Sequence, residues 1–204
     1  MGLWIPQGAP QEIAIELQHR GVRAMIDFDG CAVRGHYHAA LHFMAANGQT
    51  ERVINLLLHG VACVAKDFLG LPNEGHLRSM AKGLEGLCYE SFLTRMLDTV
   101  EVNPRLAGVQ AYVEVSPVPV AILSKNDGDL IEAVVEANAA VFRGYGIELQ
   151  AIVANTYNKQ DGHYTGDATI RVHNNKQDYY QYGFLFFGDA QDVAATTYPG
   201  VIRI

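Results

Sequence analysis

An acidic pair follows a short apolar run in residues 24–30, Ala-Met-Ile-Asp-Phe-Asp-Gly. The apolar run has no helical period, which predicts a buried strand of a parallel sheet. Ligands bind outside the carboxyl ends of such strands, and residues i and i+2 of a strand share a face. Asp27 and Asp29 are therefore predicted to lie together at that edge. Because neighbouring carboxylates repel each other, the pair predicts either a hard cation or a shared proton.

Length and composition place the chain among globular proteins. Its 204 residues suffice for one domain with a modest insertion, and 49% hydrophobic residues exclude a disordered chain. The net charge of −7 argues against a nucleic-acid partner, which requires a basic surface. Three cysteines without CxxC spacing indicate a reducing compartment, and no apolar run is long enough to span a membrane. We therefore expect a cytoplasmic protein without a membrane partner, as a monomer or a homodimer.

The hydrophobic pattern alternates between strand and helix along the chain, apart from one long helical stretch. Apolar residues three and four apart predict helices in residues 10–21, 39–46, 51–69, 76–83, 89–100 and 129–142. Beyond the first run, short apolar segments predict strands at residues 119–124, 149–153, 184–187 and 201–204, with a hairpin turn at 161–166. Residues 35–113 carry no strand pattern, so we expect a helical insertion there.

This order of elements predicts an α/β fold with a doubly wound, mostly parallel sheet and helices on both of its faces. Residues 1–34 and 115–204 would form this Rossmann-like core, and residues 35–114 a separate helical domain inserted into it. In such a fold the carboxyl ends of neighbouring strands meet at one edge, where ligands bind.

Polar side chains of different kinds accompany three of the predicted strands. The set comprises a carboxylate pair after the first strand, a hydroxyl ending the second, a lysine before the fourth and two carboxylates after it: Asp27, Asp29, Ser124, Lys176, Asp189 and Asp192. A carboxylate can attack phosphorus, and Mg²⁺ prefers a few hard oxygens plus a substrate phosphate. A hydroxyl and an ammonium can hold the non-bridging oxygens. Together, these groups predict phosphoryl transfer.

Four segments match, in order, the motifs of one known superfamily. They are Asp27-Phe28-Asp29-Gly30-Cys31, Val120-Ala121-Ile122-Leu123-Ser124, Lys176 and Gly188-Asp189-Ala190-Gln191-Asp192. On these residues the chain resembles the phosphoserine-phosphatase-like branch of the haloacid dehalogenase (HAD) superfamily. The resemblance extends from about residue 22 to the C-terminus. It implies that residues 35–114 form the helical C1-type cap of that branch.

The resemblance implies a role for each matching residue. Asp27 would be the nucleophile that forms an aspartyl-phosphate, and Asp29 would be the general acid and base. Ser124 and Lys176 would bind the transferring phosphoryl group. The Mg²⁺ ligands would be Asp27, Asp29 through its backbone carbonyl, Asp189 and Asp192.

A further role comes from the predicted cap. Residues 80–83 leading to residues 90–95 resemble the cap segment whose arginine meets substrate in that branch. Arg95 is therefore predicted to bind substrate. Together these roles predict a Mg²⁺-dependent phosphatase, a phosphoric monoester hydrolase, that acts on a small phosphorylated metabolite.

The sequence leaves two other functions open. A HAD-like protein without turnover, acting as a binding or regulatory module, would fit the short segment between Lys176 and Gly188 and the early position of Asp192. A phosphotransferase would use the same aspartyl-phosphate. A phosphoacceptor receiver domain is disfavoured, because its acceptor aspartate follows the third strand, where this chain has Val153-Ala154-Asn155.

Overall fold

The computed structural model of the chain describes residues 5, 8–113, 118–173, 176–189 and 200–204. The strands are β1 (Ala24–Asp27), β2 (Val33–Arg34), β3 (Glu101–Val102), β4 (Val118–Asp127), β5 (Ile147–Gln160), β6 (His163–Thr169), β7 (Leu185–Gly188) and β8 (Val201–Arg203). The helices are α1 (Pro10–His19), α2 (His36–Ala46), α3 (Thr50–Phe68), α4 (Glu74–Gly83), α5 (Tyr89–Thr99), α6 (Leu106–Val113), α7 (Gly128–Ala137), α8 (Ala139–Gly144) and α9 (Gln177–Tyr180).

A six-stranded sheet in the order β6-β5-β4-β1-β7-β8 forms the core of the fold. β1 pairs in parallel with β4 and β7, β4 pairs in parallel with β5, and β7 with β8. β6 pairs antiparallel with β5 at the edge. The predicted α/β architecture with a doubly wound, mostly parallel sheet is confirmed.

The central strands bury both of their faces, which explains their uniformly apolar sequence. Ile26 and Ile122 pack into one hydrophobic cluster, whereas Met25 and Leu123 pack into another. Successive side chains of a strand point to opposite faces, so each strand contributes alternately to the two clusters. A strand covered on both sides therefore shows no polar alternation, as expected for a parallel sheet between two helical layers.

The strand register brings the predicted functional residues to one edge of the sheet. Asp27, the last residue of β1, pairs with Leu123 of β4, so Ser124 is the next residue on the neighbouring strand. On the other side of β1, Ile26 pairs with Phe187, two residues before Asp189. The carboxyl ends of three parallel strands therefore meet here.

A two-stranded ribbon flanks the helices α2 to α5 in the sequence. β2 pairs antiparallel with β3 through Val33 and Val102, and Arg34 forms an ion pair with Glu101 across the ribbon. The expectation that no strand interrupts residues 35–113 was therefore wrong. Strands of two residues are too short to show a hydrophobic period, so only long-range pairing reveals β3.

One predicted helix is divided in two. The helix expected over residues 129–142 breaks at Asn138, between α7 and α8. The Asn138 side-chain amide donates to the carbonyl of Val134 at 2.8 Å. Asparagine competes for backbone groups in this way, which favours helix ends over helix interiors.

The insertion is attached to the β5–β6 hairpin by backbone hydrogen bonds. The amides of Gly86 and Tyr89 donate to the carbonyls of Tyr164 and Gly162 at 2.7 and 2.8 Å, and the Tyr164 amide donates to Leu87 at 3.0 Å. The loop between α4 and α5 therefore extends the sheet edge. No helix in the described ranges combines the length and apolar character needed to cross a bilayer.

Candidate active site

The loop after β1 folds back on itself and presents Asp27 and Asp29. The amide of Ala32 donates to the Asp27 carbonyl at 2.9 Å, and that of Val33 donates to the Phe28 carbonyl at 2.9 Å. Gly30 has a φ of 78°, a left-handed conformation that a side chain would strain. A Cβ at Gly30 would also lie 3.8 Å from Asp189 Oδ2. The carboxylate of Asp189 therefore lies beside the loop that carries the acidic pair.

Lys176 reaches the end of β1 from the other side of the sheet edge. Its Nζ lies 2.6 Å from Asp27 Oδ1, and only 3% of its surface is exposed. The residue has a φ of 64° and immediately precedes the single-turn helix α9. Its ammonium also lies 5.3 Å from the centre of the Phe186 ring. The short segment between Lys176 and Gly188 thus still delivers this lysine to Asp27.

Two polar side chains hold Asp29. His36 Nδ1 lies 3.0 Å from Asp29 Oδ1, and the Asn126 side-chain amide donates to Asp29 Oδ2. Burial raises the pKa of Asp29, but His36, Asn126 and the more distant Lys176 together lower it by more. The pKa of Asp29 therefore lies below its usual range, and the carboxylate is ionised at neutral pH.

The last residues of β4, which follow Ser124, connect the sheet to α3. Ser124 is buried, and its Oγ accepts a hydrogen bond from the backbone amide of Asn126 at 3.2 Å. Lys125 forms an ion pair with Asp67 of α3, which is fully buried and also accepts a hydrogen bond from Asn73 at 2.5 Å. This ion pair therefore links the end of β4 to α3.

A cavity of about 550 Å³ lies above these side chains. Its polar floor comes from the carboxyl ends of the strands and the segments that follow them: Asp27, Asp29, Ser124, Lys176 and Asp189. Its opposite wall comes from α3 and α4 of the insertion. Acidic, hydroxyl and cationic groups therefore share one concave site, the usual form of a binding or catalytic site.

Solved structures of known enzymes share this architecture. A phospho-aspartyl intermediate analogue of phosphoserine phosphatase is 18% identical, with a TM-score of 0.57, covering 89% of this chain and 85% of that chain. A phosphoserine phosphatase in apo form is 16% identical, with a TM-score of 0.55, covering 89% and 86% of the two chains. The phosphoserine phosphatase of T. onnurineus, solved in complex with NDSB-201, is 16% identical, with a TM-score of 0.52, covering 89% and 88%. No protein-family model and no curated protein matches the sequence.

The chain has the phosphoserine phosphatase fold. The predicted resemblance to this branch of the HAD superfamily is thereby confirmed at the level of the fold. Sequence identities of 16 and 18% carry the architecture but not the activity. The activity depends on the residues of the cavity and not on the fold alone.

Five of the seven predicted site residues line the cavity, and Arg95 is not among the lining residues. Arg95 is exposed on α5, whereas the cavity is lined by residues of α2, α3 and α4 and by Arg34 of β2. The predicted contact of Arg95 with substrate therefore has no support in the geometry of this site. A helical pattern alone does not show which helix of a bundle faces the cavity. Asp192 lies outside the described residues.

No pattern in the sequence assigned a role to Asn126 or His36, although both contact Asp29. Their positions offered a weak signal, because Asn126 follows Ser124 by two residues and His36 follows Asp29 by seven. The long-range ion pair between Lys125 and Asp67 carried no local signal at all.

The donors for a metal ion are few in the described part of the chain. There, no three His, Cys, Asp or Glu side chains are close enough to form a metal site by themselves. Mg²⁺ does not need such a cluster, because it usually takes one or two carboxylates and keeps waters and substrate oxygens as its other ligands. Asp27 and Asp189, which both line the cavity, are hard oxygen donors of this kind.

Proposed function

We propose that this protein is a Mg²⁺-dependent phosphatase that hydrolyses a small phosphomonoester through an aspartyl-phosphate on Asp27. The observation that supports this most is the buried contact of Lys176 Nζ with Asp27 Oδ1 at 2.6 Å, at the floor of a cavity that Ser124 and Asp29 also line. A nucleophile, a cation and a second carboxylate thus meet where a phosphate would bind.

In the first step, a carboxylate oxygen of Asp27 attacks phosphorus, and the bond from phosphorus to the ester oxygen breaks. Asp29 donates a proton to the departing alcohol oxygen. In the second step, Asp29 takes a proton from water, whose oxygen attacks phosphorus and releases inorganic phosphate from Asp27. Atoms and protons balance over the two steps, since one water is consumed.

The low pKa of Asp29 suits the second step better than the first. With its pKa below the usual range, Asp29 is ionised before substrate binds. A phosphate placed beside this carboxylate adds negative charge, which raises the pKa of Asp29. We therefore expect Asp29 to acquire its proton together with the substrate and to return to the basic form once the alcohol leaves.

Lys176 and Ser124 would bind the oxygens of the transferring group. The ammonium of Lys176 is almost fully buried, so its attraction to a phosphoryl oxygen is weakly screened by water. The hydroxyl of Ser124 can donate to a second oxygen. Both groups are held in place before the reaction, which reduces the cost of reorganisation as charge develops.

Mg²⁺ is the implied metal. Asp27 and Asp189 would supply carboxylate oxygens, the backbone of Asp29 a carbonyl oxygen, and Asp192 a further ligand, as the family resemblance implies. When bound, the ion would offset the repulsion between the acidic side chains and the negatively charged phosphate.

We propose that residues 35–114 act as a cap over a core formed by residues 1–34 and 115–204. A cavity of about 550 Å³ suits a small metabolite, and the net charge of −7 disfavours nucleic acid as substrate. We also propose that the protein acts in the cytoplasm, as a monomer or homodimer and without a membrane partner.

The test is hydrolysis of para-nitrophenyl phosphate by the purified protein, with Mg²⁺ and with excess chelator. We expect turnover only with Mg²⁺, and no detectable turnover by Asp27→Asn. Asp98→Asn is the matched control, because Asp98 is an exposed aspartate of α5 outside the cavity. Equal activity of Asp27→Asn and the wild type would overturn the assignment of the nucleophile. A phosphotransferase would instead release little phosphate until an alcohol acceptor is added.

A further inference from the structure

We infer that the cavity selects phosphomonoesters of apolar alcohols, such as alkyl phosphates, over the phosphate ester of an amino acid. This inference rests on the proposed phosphatase function and names its substrate class. It comes from the wall that faces Asp27 and Lys176 across the cavity, because that wall would contact whatever alcohol the phosphate carries.

The wall facing the acidic floor, here called the cap wall, is apolar. Leu57, Val61 and Val64 line the cavity from α3, and their spacing of four and three residues places them on one face of that helix. Leu77 and Met80, three residues apart, line it from α4. The lining residues of the cap wall are thus aliphatic side chains or methionine, apart from Gly60 and Cys63.

Cys63 does not add charge to this wall. Burial raises the pKa of the Cys63 thiol to about 11, so the group is neutral at physiological pH. Its Sγ also lies 3.9 Å from the sulfur of Met80. A buried neutral thiol behaves as a small apolar group.

The cations that line the cavity are already engaged with carboxylates. Arg34 pairs with Glu101, Lys125 with buried Asp67, and Lys176 with Asp27. Among the lining residues of the described chain, α3 and α4 contribute no carboxylate and no cation.

Two histidines of α2 also line the cavity. His36 contacts Asp29, and His38 is solvent-exposed. The ammonium and carboxylate of an amino-acid ester would therefore lose water against the cap wall without gaining opposite charges there, which is unfavourable. An alkyl group gives up no hydrogen bonds to water in the same contact, and its removal from water is favourable in free energy.

Several apolar side chains of the cap wall are exposed to solvent, so a ligand bound in the cavity would bury them. Val61 has 68% of its surface exposed, and Leu57 and Val64 are exposed as well. Exposed apolar side chains that adjoin polar groups often mark a binding site. Because these three residues share one cavity with Asp27 and Lys176, the alkyl part of a bound substrate is the occupant that fits both surfaces.

The experiment compares methyl, butyl and octyl phosphate, whose alcohols are similar as leaving groups, with O-phosphoserine. With Mg²⁺ present, we expect kcat/KM to rise at least about tenfold from methyl to octyl phosphate, and O-phosphoserine to be poorer than butyl phosphate. Val61→Ser should flatten this series. Leu58→Ser is the matched control, since Leu58 is 63% exposed on the same helix but does not line the cavity.

A binding measurement separates this inference from the proposed function. Methyl-, butyl- and octylphosphonate cannot be hydrolysed in this way, so their affinities, measured by calorimetry, do not depend on turnover. If no ester is hydrolysed but affinity rises with chain length and falls in Val61→Ser, the proposed phosphatase function is wrong, whereas the inferred binding site for an apolar alcohol is supported. If esters are hydrolysed without preference for chain length, or O-phosphoserine is preferred, the phosphatase stands and the apolar site is wrong.

A second copy of the chain is the alternative occupant of the exposed apolar side chains of the cap wall. Light scattering of the wild type and Val61→Ser tests it in the same samples. If Val61→Ser turns a dimer into a monomer and leaves the chain-length series unchanged, the face is a contact between copies, and the inference is overturned.

Discussion

Lys176 Nζ lies 2.6 Å from Asp27 Oδ1, with both side chains buried at the carboxyl edge of the sheet. An ammonium buried against a carboxylate is costly to desolvate unless the pair is close and well oriented. In a phosphatase the buried cation has a function, because Lys176 stays beside Asp27 when that nucleophile is phosphorylated. Lys176 would therefore stabilise negative charge both on the free Asp27 carboxylate and on the aspartyl-phosphate.

Replacement of Lys176 should affect the chemistry directly. Lys176→Met removes the ammonium while keeping much of the apolar stem, so we expect kcat/KM to fall about 10²- to 10³-fold, as for loss of one transition-state donor. Steady-state hydrolysis of para-nitrophenyl phosphate measures the change. Lys82→Met, which removes an exposed lysine paired with Glu85, should leave activity unchanged. Wild-type activity of Lys176→Met would contradict the phosphate-binding role.

Removal of the Asn126 amide should move the pKa of Asp29. The amide donates to the Asp29 carboxylate and helps to lower its pKa, so Asn126→Ala should shift that pKa upward. The pH profile of kcat/KM reports ionisations of the free enzyme, and its Asp29 limb should therefore move to higher pH. Asn47→Ala, outside the cavity, should reproduce the wild-type profile. An unshifted profile in Asn126→Ala would show that this contact does not tune Asp29.

The ion pair between Lys125 and Asp67 should contribute strongly to stability. Asp67 has 0% of its surface exposed, so Lys125→Met would leave a buried carboxylate without its cation. We expect a loss of about 3–5 kcal/mol in the free energy of unfolding, measured by urea denaturation. The double variant Asp67→Asn with Lys125→Met should recover much of that loss, since it removes both charges and keeps an acceptor for the buried Asn73 amide. A loss of Lys125→Met as small as that of a surface pair, under about 1 kcal/mol, would contradict the prediction.

Asp127 should make stability depend on pH in the opposite sense to an ordinary ion-paired carboxylate. Burial raises its pKa more than Lys159 lowers it, so the folded state holds the proton more tightly than the unfolded state does. The stability contributed by this carboxyl is therefore complete below about pH 4 and is lost as pH rises through the raised pKa.

Asp127→Asn tests that dependence, because an amide keeps the shape without titrating. Its side-chain oxygen can still accept from the Tyr157 backbone amide, and its NH2 group, in place of Oδ2, can donate to the Tyr164 hydroxyl oxygen. We expect the unfolding free energy of this variant, relative to the wild type, to increase from about pH 4 toward pH 7 in denaturation experiments. Asp161→Asn, in the exposed hairpin turn, should show no such trend. A constant difference across this range would mean that the pKa of Asp127 is not raised.

The apolar runs in the sequence determined where the central strands lie, because a strand that is buried on both faces is a short, uninterrupted apolar segment. The runs at 24–26 and 119–123 became β1 and β4, and the acidic pair ended β1 as predicted. Helices α2 to α5 were likewise visible as apolar residues three and four apart. Asp27, Asp29, Ser124 and Asp189 reached one edge because parallel strands end at the same edge.

Only the tertiary structure decided which distant groups meet. The approach of Lys176 to Asp27, the support of Asp29 by Asn126 and the pairing of Lys125 with Asp67 join segments far apart in sequence. Similarly, α3 and α4 line the cavity, whereas Arg95 on α5 faces solvent. Local periodicity records that a residue is buried or exposed, but not against which partner. Long-range packing determines the partner. It places Lys176 beside Asp27 and puts the apolar side chains of α3 and α4 on the wall of the cavity.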